Sequence, residues 1–492
     1  MNQIKDKLSR RVILSSIWIF ILRTSIRIVD VLKLIILARL LEPKDFGLLG
    51  IGLLSVSILE TFSQTGFDSA LIQKKENIIQ YLNTAWTIQI IRGIFLFSIL
   101  YFCAPLIAQF FKAPETLNII KILAFTQLFY GLRNIGVVFF KKELQYKKEF
   151  IISFIPILTG AMIAIVYAVI YKNVWALVYG VLTRYGVGFV LTYIVNPFRP
   201  KIQFDIKKIK ELAGFGKWVM GSSAIVFIVT HGEAIFVGKF LGTVMLGFYQ
   251  MAYRLANLVP VEIAQVIVNV TFPAYSKMQD NIARLSESFI RVLTGINFVT
   301  FPIVGLVFVL AADFTEIFLG EKWLLIVVPM QILVFASLFR VLAMTTSSLV
   351  YAVGKPKIWT KWQAIQLVIM VVLIYPFSVK WGLKGVSLVL LISSFISAIG
   401  LVCETVRILN VKFGEYYKMT FYPLINACIM SIIIYVIKDM LNKSDLVGFI
   451  CSGIAGVIVY GAMTFVMDKY FNYGINVYIK NTLISLNRKK AS

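Results

Sequence analysis

The sequence is poor in acidic residues, histidine and cysteine. It contains 24 Asp and Glu against 49 Lys and Arg, one histidine and four cysteines in 492 residues. All four cysteines lie inside apolar runs, where a thiol behaves as a small hydrophobic group, so they form neither a disulfide framework nor a metal-ligand set. The chain also lacks GxSxG, Walker and HExxH motifs. We therefore expect no metal, no cofactor and no enzymatic activity.

Long charge-free runs dominate the chain instead. Hydrophobic residues make up 59% of it, against roughly 45–50% in soluble domains. Segments such as 154–171, 297–311 and 446–467 carry no charge, and they lack the alternating polarity of barrel strands. Because about 20 apolar residues cross a bilayer as a helix, the sequence predicts an all-α, polytopic membrane protein. The fourteen predicted spans are 12–41, 46–70, 83–110, 117–140, 149–171, 174–196, 214–240, 243–273, 286–312, 324–353, 356–379, 382–406, 418–437 and 446–467.

The positive charges divide unevenly between the two sides of this predicted topology. With the N-terminus in the cytoplasm, 29 Lys and Arg fall on the cytoplasmic side and 9 on the other, the asymmetry that orients membrane proteins. Met1–Arg11 is basic and leads into an apolar run without a small-residue cleavage site, so we expect an uncleaved first helix. Both termini are predicted in the cytoplasm. The net charge of +25 therefore indicates membrane orientation, and no nucleic-acid partner is expected.

Weak internal similarity relates two parts of the chain at an offset of roughly 200–210 residues. Segment 122–129 matches segment 332–339 at five of eight positions, and 39–41 before Gly47 corresponds to 239–241 before Gly247. Since six is an even number, two six-helix lobes related in this way share one orientation, with a pseudo-two-fold axis along the membrane normal. We predict an N-terminal lobe over residues 1–210, a C-terminal lobe over 211–410, and two additional helices with a cytoplasmic tail over 411–492.

Charges inside the first span predict an anion site. Ionisable groups at membrane depth cost about 2.5–3.5 kcal/mol each and face a bundle interior or a watery cavity. Arg23, Arg27 and Asp30 fall on one helical face, and Lys33 lies about 80° from Arg23. The planar fork of Arg binds anions well. The alternative is a self-neutralising Arg27–Asp30 pair, although this would leave Arg23 without a partner.

Other spans carry arginines singly. Arg184 and Arg340 are too central to reach the interface, and they are further candidates for substrate binding.

The eighth span combines a polar stripe with a proline. Pro260 interrupts the helix, and proline at this depth is tolerated where neighbours or water satisfy the freed carbonyl. The polar residues on one arc are Gln250, Arg254, Asn257, Gln265 and Asn269. The pattern predicts a helix that lines a cavity and bends at Pro260, or alternatively one that hydrogen-bonds to neighbouring helices.

Further candidates for coupling or gating, besides Asp30 and Pro260, are titratable residues in two spans. His231 and Glu233 of the seventh span could exchange protons during transport, but packing or cavity lining is favoured. Glu60 and Asp68 of the second span could accept a cation or a proton, but pairing with the arginines of the first span is favoured.

Several short segments, in this order along residues 1–410, resemble one family. They are ARLLEPKDFG at 38–47, ALIQKKE at 70–76, VGKFLG at 237–242, GFYQMAYRL at 247–255, FPAYSK at 272–277 and FLGEKW at 318–323. The chain resembles the polysaccharide and O-antigen flippases of the multidrug/oligosaccharidyl-lipid/polysaccharide exporter superfamily, nearest to the branch that exports colanic or teichuronic acid repeat units.

This resemblance implies two six-helix lobes around a cavity that opens alternately to each side of a bacterial cytoplasmic (inner) membrane. The substrate would be a polyprenyl pyrophosphate carrying an oligosaccharide, held in a cationic cavity that suits Arg23, Arg27 and Arg254. Membrane lipids, a polysaccharide polymerase and a chain-length regulator are the other expected partners. The sequence departs from the expected pattern in the seventh span, where Glu233 stands in place of Asn.

Two other functions stay open from the sequence. A cation-coupled multidrug exporter of the same superfamily would want an acidic cavity, whereas the deep charges here are mostly basic. A membrane glycan polymerase or ligase, which is an enzyme, usually needs a large external loop. The longest external connection predicted here is only 312–323.

Overall fold

The computed structural model describes residues 2–63, 78–143, 145–206, 225–410, 413–441 and 445–471, and every regular element in these ranges is helical. Four short non-α helical turns are Ile135–Val137, Val237–Leu241, Thr315–Leu319 and Glu321–Ile326. The α-helices are α1 Asn2–Leu40, α2 Pro43–Phe62, α3 Ile79–Phe110, α4 Thr116–Leu132, α5 Val138–Lys142, α6 Tyr146–Tyr171, α7 Trp175–Val195, α8 225–236, α9 Thr243–Asn257, α10 Pro260–Ser276, α11 Ile282–Phe314, α12 Val327–Ala352, α13 Pro356–Leu409, α14 Phe413–Leu441 and α15 Leu446–Phe471.

Each of the fourteen predicted spans overlaps one of these helices. Among the described residues, nine helices are long and apolar enough to cross a membrane, and the bent pair α9–α10 makes a tenth. The nine do not include the charged α1, the short apolar α4, or α8, which is described only from residue 225. They also count α13 once, although two spans are predicted within it. The predicted all-α, polytopic membrane fold is confirmed.

The 54-residue α13 is two helices joined at a sharp break. Gly382 has φ 56° and ψ −132°, a backbone conformation that glycine adopts without a steric penalty. A Cβ on Gly385 would lie 2.0 Å from the carbonyl oxygen of Phe377, whereas eight residues of straight helix rise about 12 Å. The chain therefore reverses here, between the predicted spans 356–379 and 382–406.

By its internal contacts the chain divides into two compact units, Met1–Gln250 and Met251–Ser492. Within the second unit, α14 packs on α11. Lys438 Nζ lies 2.8 Å from Asp313 Oδ2, which is nearly buried, and Gly305 leaves room for the side chains of Met430 and Ser431. The two C-terminal helices are thus part of the second unit, and the lobe boundary at residue 210 stays a prediction.

Within the first unit, α2 and the first turns of α9 cross at two glycines. A Cβ on Gly47 would lie 1.8 Å from the carbonyl oxygen of Thr243, and one on Gly247 would lie 1.9 Å from that of Pro43. Small residues let helix backbones approach in this way inside membranes. The contact is reciprocal, because each helix contributes one glycine and one backbone oxygen to it. The equivalent residues of the two helices are separated by the offset of the sequence repeat.

Candidate functional site

The charges on the polar face of α1 differ in their partners. Lys33 Nζ lies 3.4 Å from Asp30 Oδ1, and both side chains are partly buried. Arg27 is exposed and interacts with neighbouring groups. Arg23 is half-buried, and its side chain forms no ion pair or hydrogen bond with the residues that the structure describes. Because one cation of this face has no counter-charge in the described chain, the face keeps the capacity to bind an anion.

A second cationic feature is a pocket of about 330 Å³ between α1, α4, α6 and α7, here called the Arg133–Arg184 pocket. Arg133 directly follows α4, and Arg184 lies midway along α7. Close packing of α6 on α7 positions Arg184, since a Cβ on Gly160 would lie 3.0 Å from Arg184 Cβ. The lining residues are Ile26, Phe129, Tyr130, Arg133, Ile152, Ser153, Pro156, Ile157, Arg184, Tyr185, Gly188 and Phe189.

Neither arginine of this pocket forms an ion pair within the described chain. Arg133 Nε is buried without a hydrogen-bond partner, and the side chain of Arg184 makes no hydrogen bond within the described chain. Two acids lie nearby: Glu149 lines a smaller adjoining pocket that shares Arg133, and Glu60 is within electrostatic range of Tyr185. Two arginines without ion pairs in the described chain give this pocket the charge and the donor geometry that an anion requires. The sequence carried no signal of this convergence, because the two residues come from different helices.

Hydrogen bonds from α3 and α4 hold Glu60. Its Oε1 accepts from Gln127 Nε2 at 2.9 Å, and its backbone carbonyl accepts from Arg92 Nη2 at 3.4 Å. Arg92 also donates to Ser63 Oγ at 2.9 Å. The expected pairing of Glu60 with the α1 arginines is therefore wrong, because α2 packs on α3 and α4, which supply these partners. Asp68 lies outside the described residues.

In the second unit, Arg340 of α12 is anchored to α9. Its Nη1 donates to Asn257 Oδ1 at 3.1 Å and to the hydroxyl of Tyr253. Its guanidinium carbon also lies 5.1 Å from the centre of the Tyr253 ring. Asn257 thus accepts a hydrogen bond from a neighbouring helix. This is the second of the two roles predicted for the polar stripe. Arg254, one residue after Tyr253, is exposed.

The axes of α9 and α10 differ by 51°, and Pro260 is the first residue of α10. Proline suits this position because its missing N–H would have no intrahelical partner there. The predicted interruption at Pro260 is confirmed. Beyond the bend, Gln265 is exposed and its Nε2 donates to Asn269 Oδ1 at 3.2 Å.

The two titratable residues of α8 have different surroundings. Glu233 is only 1% exposed, whereas His231 is half-buried with its ring 4.8 Å from that of Phe227. Residues two apart on a helix point in nearly opposite directions, so the two do not share a face. Among the described residues, no group of three His, Cys, Asp or Glu is placed to hold a metal ion. A coupling role for either residue stays a prediction.

An apolar pocket of about 420 Å³ lies in the second unit between α9, α11, α12 and α15. Leu255, Leu258 and Val259, at the bend between α9 and α10, contribute to one wall. The lining residues are Leu255, Leu258, Val259, Leu306, Val307, Leu310, Ala311, Phe314, Met330, Phe449, Ile450, Gly453 and Ile454. None of these side chains carries a polar group other than the methionine thioether, so the pocket suits a hydrocarbon chain.

The chain is similar in sequence to membrane and polymer-biosynthesis proteins of several bacteria. A protein of Klebsiella pneumoniae described as an uncharacterized membrane protein in the cps region is 26% identical over 92% of this chain and 94% of its own length. The lipopolysaccharide biosynthesis protein WzxC of Escherichia coli (strain K12) is 26% identical over 75% of each chain. The teichuronic acid biosynthesis protein TuaB of Bacillus subtilis (strain 168) is 23% identical over 87% of this chain and 89% of its own.

Solved structures show the same fold. The lipid II flippase MurJ in an inward closed conformation matches with a TM-score of 0.74 and 16% identity, over 93% of this chain and 99% of that one. An inward-facing multidrug resistance MATE family transporter of the MOP superfamily matches with a TM-score of 0.59 and 17% identity, over 79% of this chain and 98% of that one. Residues 36–328, more than half of the sequence, match the family described as polysaccharide biosynthesis protein, and the chain belongs to that family.

Proposed function

We propose that the protein is a flippase for surface polysaccharide biosynthesis. It moves a polyprenyl-pyrophosphate-linked oligosaccharide repeat unit from the cytoplasmic to the outer leaflet of a bacterial cytoplasmic membrane by alternating access. Relatives named for lipopolysaccharide and teichuronic acid biosynthesis support this substrate class. The fold shared with a lipid II flippase supports the mode of action.

The observation that carries the proposal is a set of intramembrane arginines without ion-pair partners among the described residues, namely Arg23, Arg133 and Arg184. A pyrophosphate-linked sugar cannot cross hydrocarbon alone, because each unpaired hydroxyl or charge loses several kcal/mol of hydration. Guanidinium groups replace that hydration with charge-assisted hydrogen bonds. A carrier of cationic drugs, the alternative of the same superfamily, would find repulsive charges on these helices.

In the first unit, we assign the pyrophosphate to the α1 face. Arg23 and Arg27 bind the phosphate oxygens, and Lys33 adds positive charge that Asp30 partly offsets. A group with two negative charges gains about 4–5 kcal/mol per 100 mV on leaving an inside-negative cell. Outward movement therefore needs no ATP hydrolysis and no covalent step.

In the second unit, we assign substrate contacts to the C-terminal half of α9. Arg254 is the exposed cation, and Arg340 together with Asn257 holds α9 in place. The break at Pro260 is the position at which α9 and α10 change their relative angle during gating, and Gln265 offers a polar contact beyond it. The apolar pocket beside this break takes part of the polyprenyl chain.

We also propose that both termini lie in the cytoplasm and that other proteins act on the transported product. The excess of Lys and Arg on alternate connections supports cytoplasmic termini. A polysaccharide polymerase and a chain-length regulator would act on the product in the outer leaflet.

The test is a flipping assay in liposomes that contain the purified protein and a fluorescent polyprenyl-pyrophosphate oligosaccharide. Wild-type protein should expose the glycan to an enzyme or quencher on the opposite side. Replacing both Arg23 and Arg27 by Ala should slow this at least tenfold, because the head group loses its compensating charges. Arg291→Ala is the matched control, since Arg291 is an exposed residue paired with Glu287.

In cells, loss of the protein should leave the lipid-linked repeat unit facing the cytoplasm. Normal surface polysaccharide in the double variant would overturn the assignment of Arg23 and Arg27. Absence of flipping by wild-type protein with every lipid-linked glycan tested would overturn the proposed function itself.

A further inference from the structure

The Arg133–Arg184 pocket has a composition that the pyrophosphate alone does not explain. Two arginines without ion pairs in the described chain share it with aromatic rings on α4 and α7. The rings of Phe129 and Phe189 are stacked, with centroids 6.2 Å apart and planes inclined by 23°. A diphosphate is strongly hydrated and calls for polar donors all around it, which stacked phenyl rings do not supply.

A sugar ring with one acidic group matches the arginines and aromatic rings of this pocket better than a diphosphate does. Its C–H faces pack on aromatic rings, and the hydroxyl of Tyr185 offers a hydrogen bond to one of its own hydroxyls. Its carboxylate matches the planar fork of a guanidinium, which binds carboxylates through two parallel hydrogen bonds. The pocket volume of about 330 Å³ lies at the lower end of the range for small-ligand sites, so it holds a group of about one sugar.

The position of the pocket agrees with a glycan attached to a head group on α1. Ile26 of α1 lines the pocket, and residues three apart are neighbours on a helix surface. Arg23, assigned above to the pyrophosphate, therefore lies one helical turn from the pocket wall. A sugar close to the pyrophosphate can reach the pocket while the pyrophosphate stays on α1.

We infer that the Arg133–Arg184 pocket binds an acidic sugar of the translocated glycan, with its carboxylate held by Arg133 and Arg184. The inference rests on the proposed function for the source of the sugar. It makes the protein selective for repeat units that carry a uronic acid or a similar carboxylated sugar.

Binding to the purified full-length protein tests the pocket directly. By ligand-observed NMR, D-glucuronate should bind at least tenfold more tightly than D-glucose, and Arg133→Gln or Arg184→Gln should each weaken glucuronate binding at least tenfold. Arg291→Gln is the matched control and should bind as wild type does. Arg133→Lys and Arg184→Lys keep the charge but lose the fork, so they should recover only part of the affinity.

Inorganic pyrophosphate is the competing probe. If it displaces glucuronate from the wild-type protein and its own binding is lost in both glutamine variants, the pocket is a diphosphate site and the inference is overturned. Equal affinity for glucose and glucuronate, or glucuronate binding unchanged by both variants, overturns it as well.

Transport separates this inference from the proposed function. In the flipping assay, Arg184→Gln should slow a uronate-containing lipid-linked substrate at least tenfold and a neutral analogue less than twofold. Equal slowing of the two substrates would overturn the acidic-sugar assignment while leaving the flippase function standing. Failure of wild-type protein to flip either substrate, with glucuronate binding intact, would overturn the function and leave the pocket standing.

Discussion

The arginines inside the membrane-spanning helices fall into two groups by their contacts. Arg340 donates to Asn257 and Tyr253 and lies over the tyrosine ring, so its charge stabilises the second unit. The side chain of Arg184 has neither an ion pair nor a hydrogen bond among the described residues. Loss of charge should therefore lower stability at a side chain that anchors a helix, but not at one that is available to bind a ligand.

Arg340→Gln should lower the free energy of unfolding by about 1–3 kcal/mol, because it removes hydrogen bonds from a charged donor and a cation–π contact. Arg184→Gln should leave stability within about 0.5 kcal/mol of wild type, since it breaks no ion pair and no side-chain hydrogen bond in the described chain. Thermal unfolding in detergent, followed by size-exclusion chromatography, measures both. Equal destabilisation by the two substitutions would contradict this division.

At the scale of elements, the crossing of α2 and α9 depends on having no side chain at two positions. The Cβ positions of Gly47 and Gly247 each fall within 2 Å of a backbone oxygen. Backbone atoms cannot rotate away as a flexible side chain can, so any substitution must separate the two helices.

Gly47→Ala should therefore destabilise the protein by about 1–3 kcal/mol, the usual cost of overpacking, although alanine is intrinsically the better helix former. Gly453→Ala is the control, because Gly453 is also helical but has nothing within 4 Å of its Cβ position. That change should be neutral or stabilising by up to about 1 kcal/mol.

The double variant Gly47→Ala, Gly247→Ala should cost less than the sum of the single changes, because one separation of the helices relieves both clashes. If the destabilisations of the single variants, measured by thermal unfolding, add fully in the double variant, the two contacts are independent. That outcome would contradict the reciprocal geometry.

At the scale of the whole molecule, the distribution of Lys and Arg predicts which connections face the cytoplasm. After replacement of the four native cysteines, a single cysteine at Lys112, between α3 and α4, should react with a membrane-impermeant maleimide on intact cells. A cysteine at Glu143, after α5, should react only once the cells are permeabilised. The opposite labelling pattern would invert the orientation, and with it the direction of the proposed transport.

From the sequence alone follow the all-α membrane fold, the approximate positions of the spans, the break at Pro260 and the polar face of α1. The limits follow less well, because the span predicted over 117–140 is interrupted after Leu132. These features are local, since about 20 apolar residues, a proline or a helical periodicity of charge each lies within one segment. The repeat was detectable for the same reason, as two short stretches with similar residues. The last two spans were also predictable from their apolar runs, and they correspond to α14 and α15.

Which charges have partners followed only from the packing of the helices. Glu60 was expected to pair with α1, but α2 packs on α3 and α4, so Gln127 is its partner. In the sequence, Arg340 and Arg184 each lie singly in a span. In the structure, Arg340 is hydrogen-bonded to α9, whereas Arg184 shares a pocket with Arg133. The physical reason is that ion pairs and pockets form between helices, and helix–helix packing depends on the shapes of small-residue surfaces far apart in the chain.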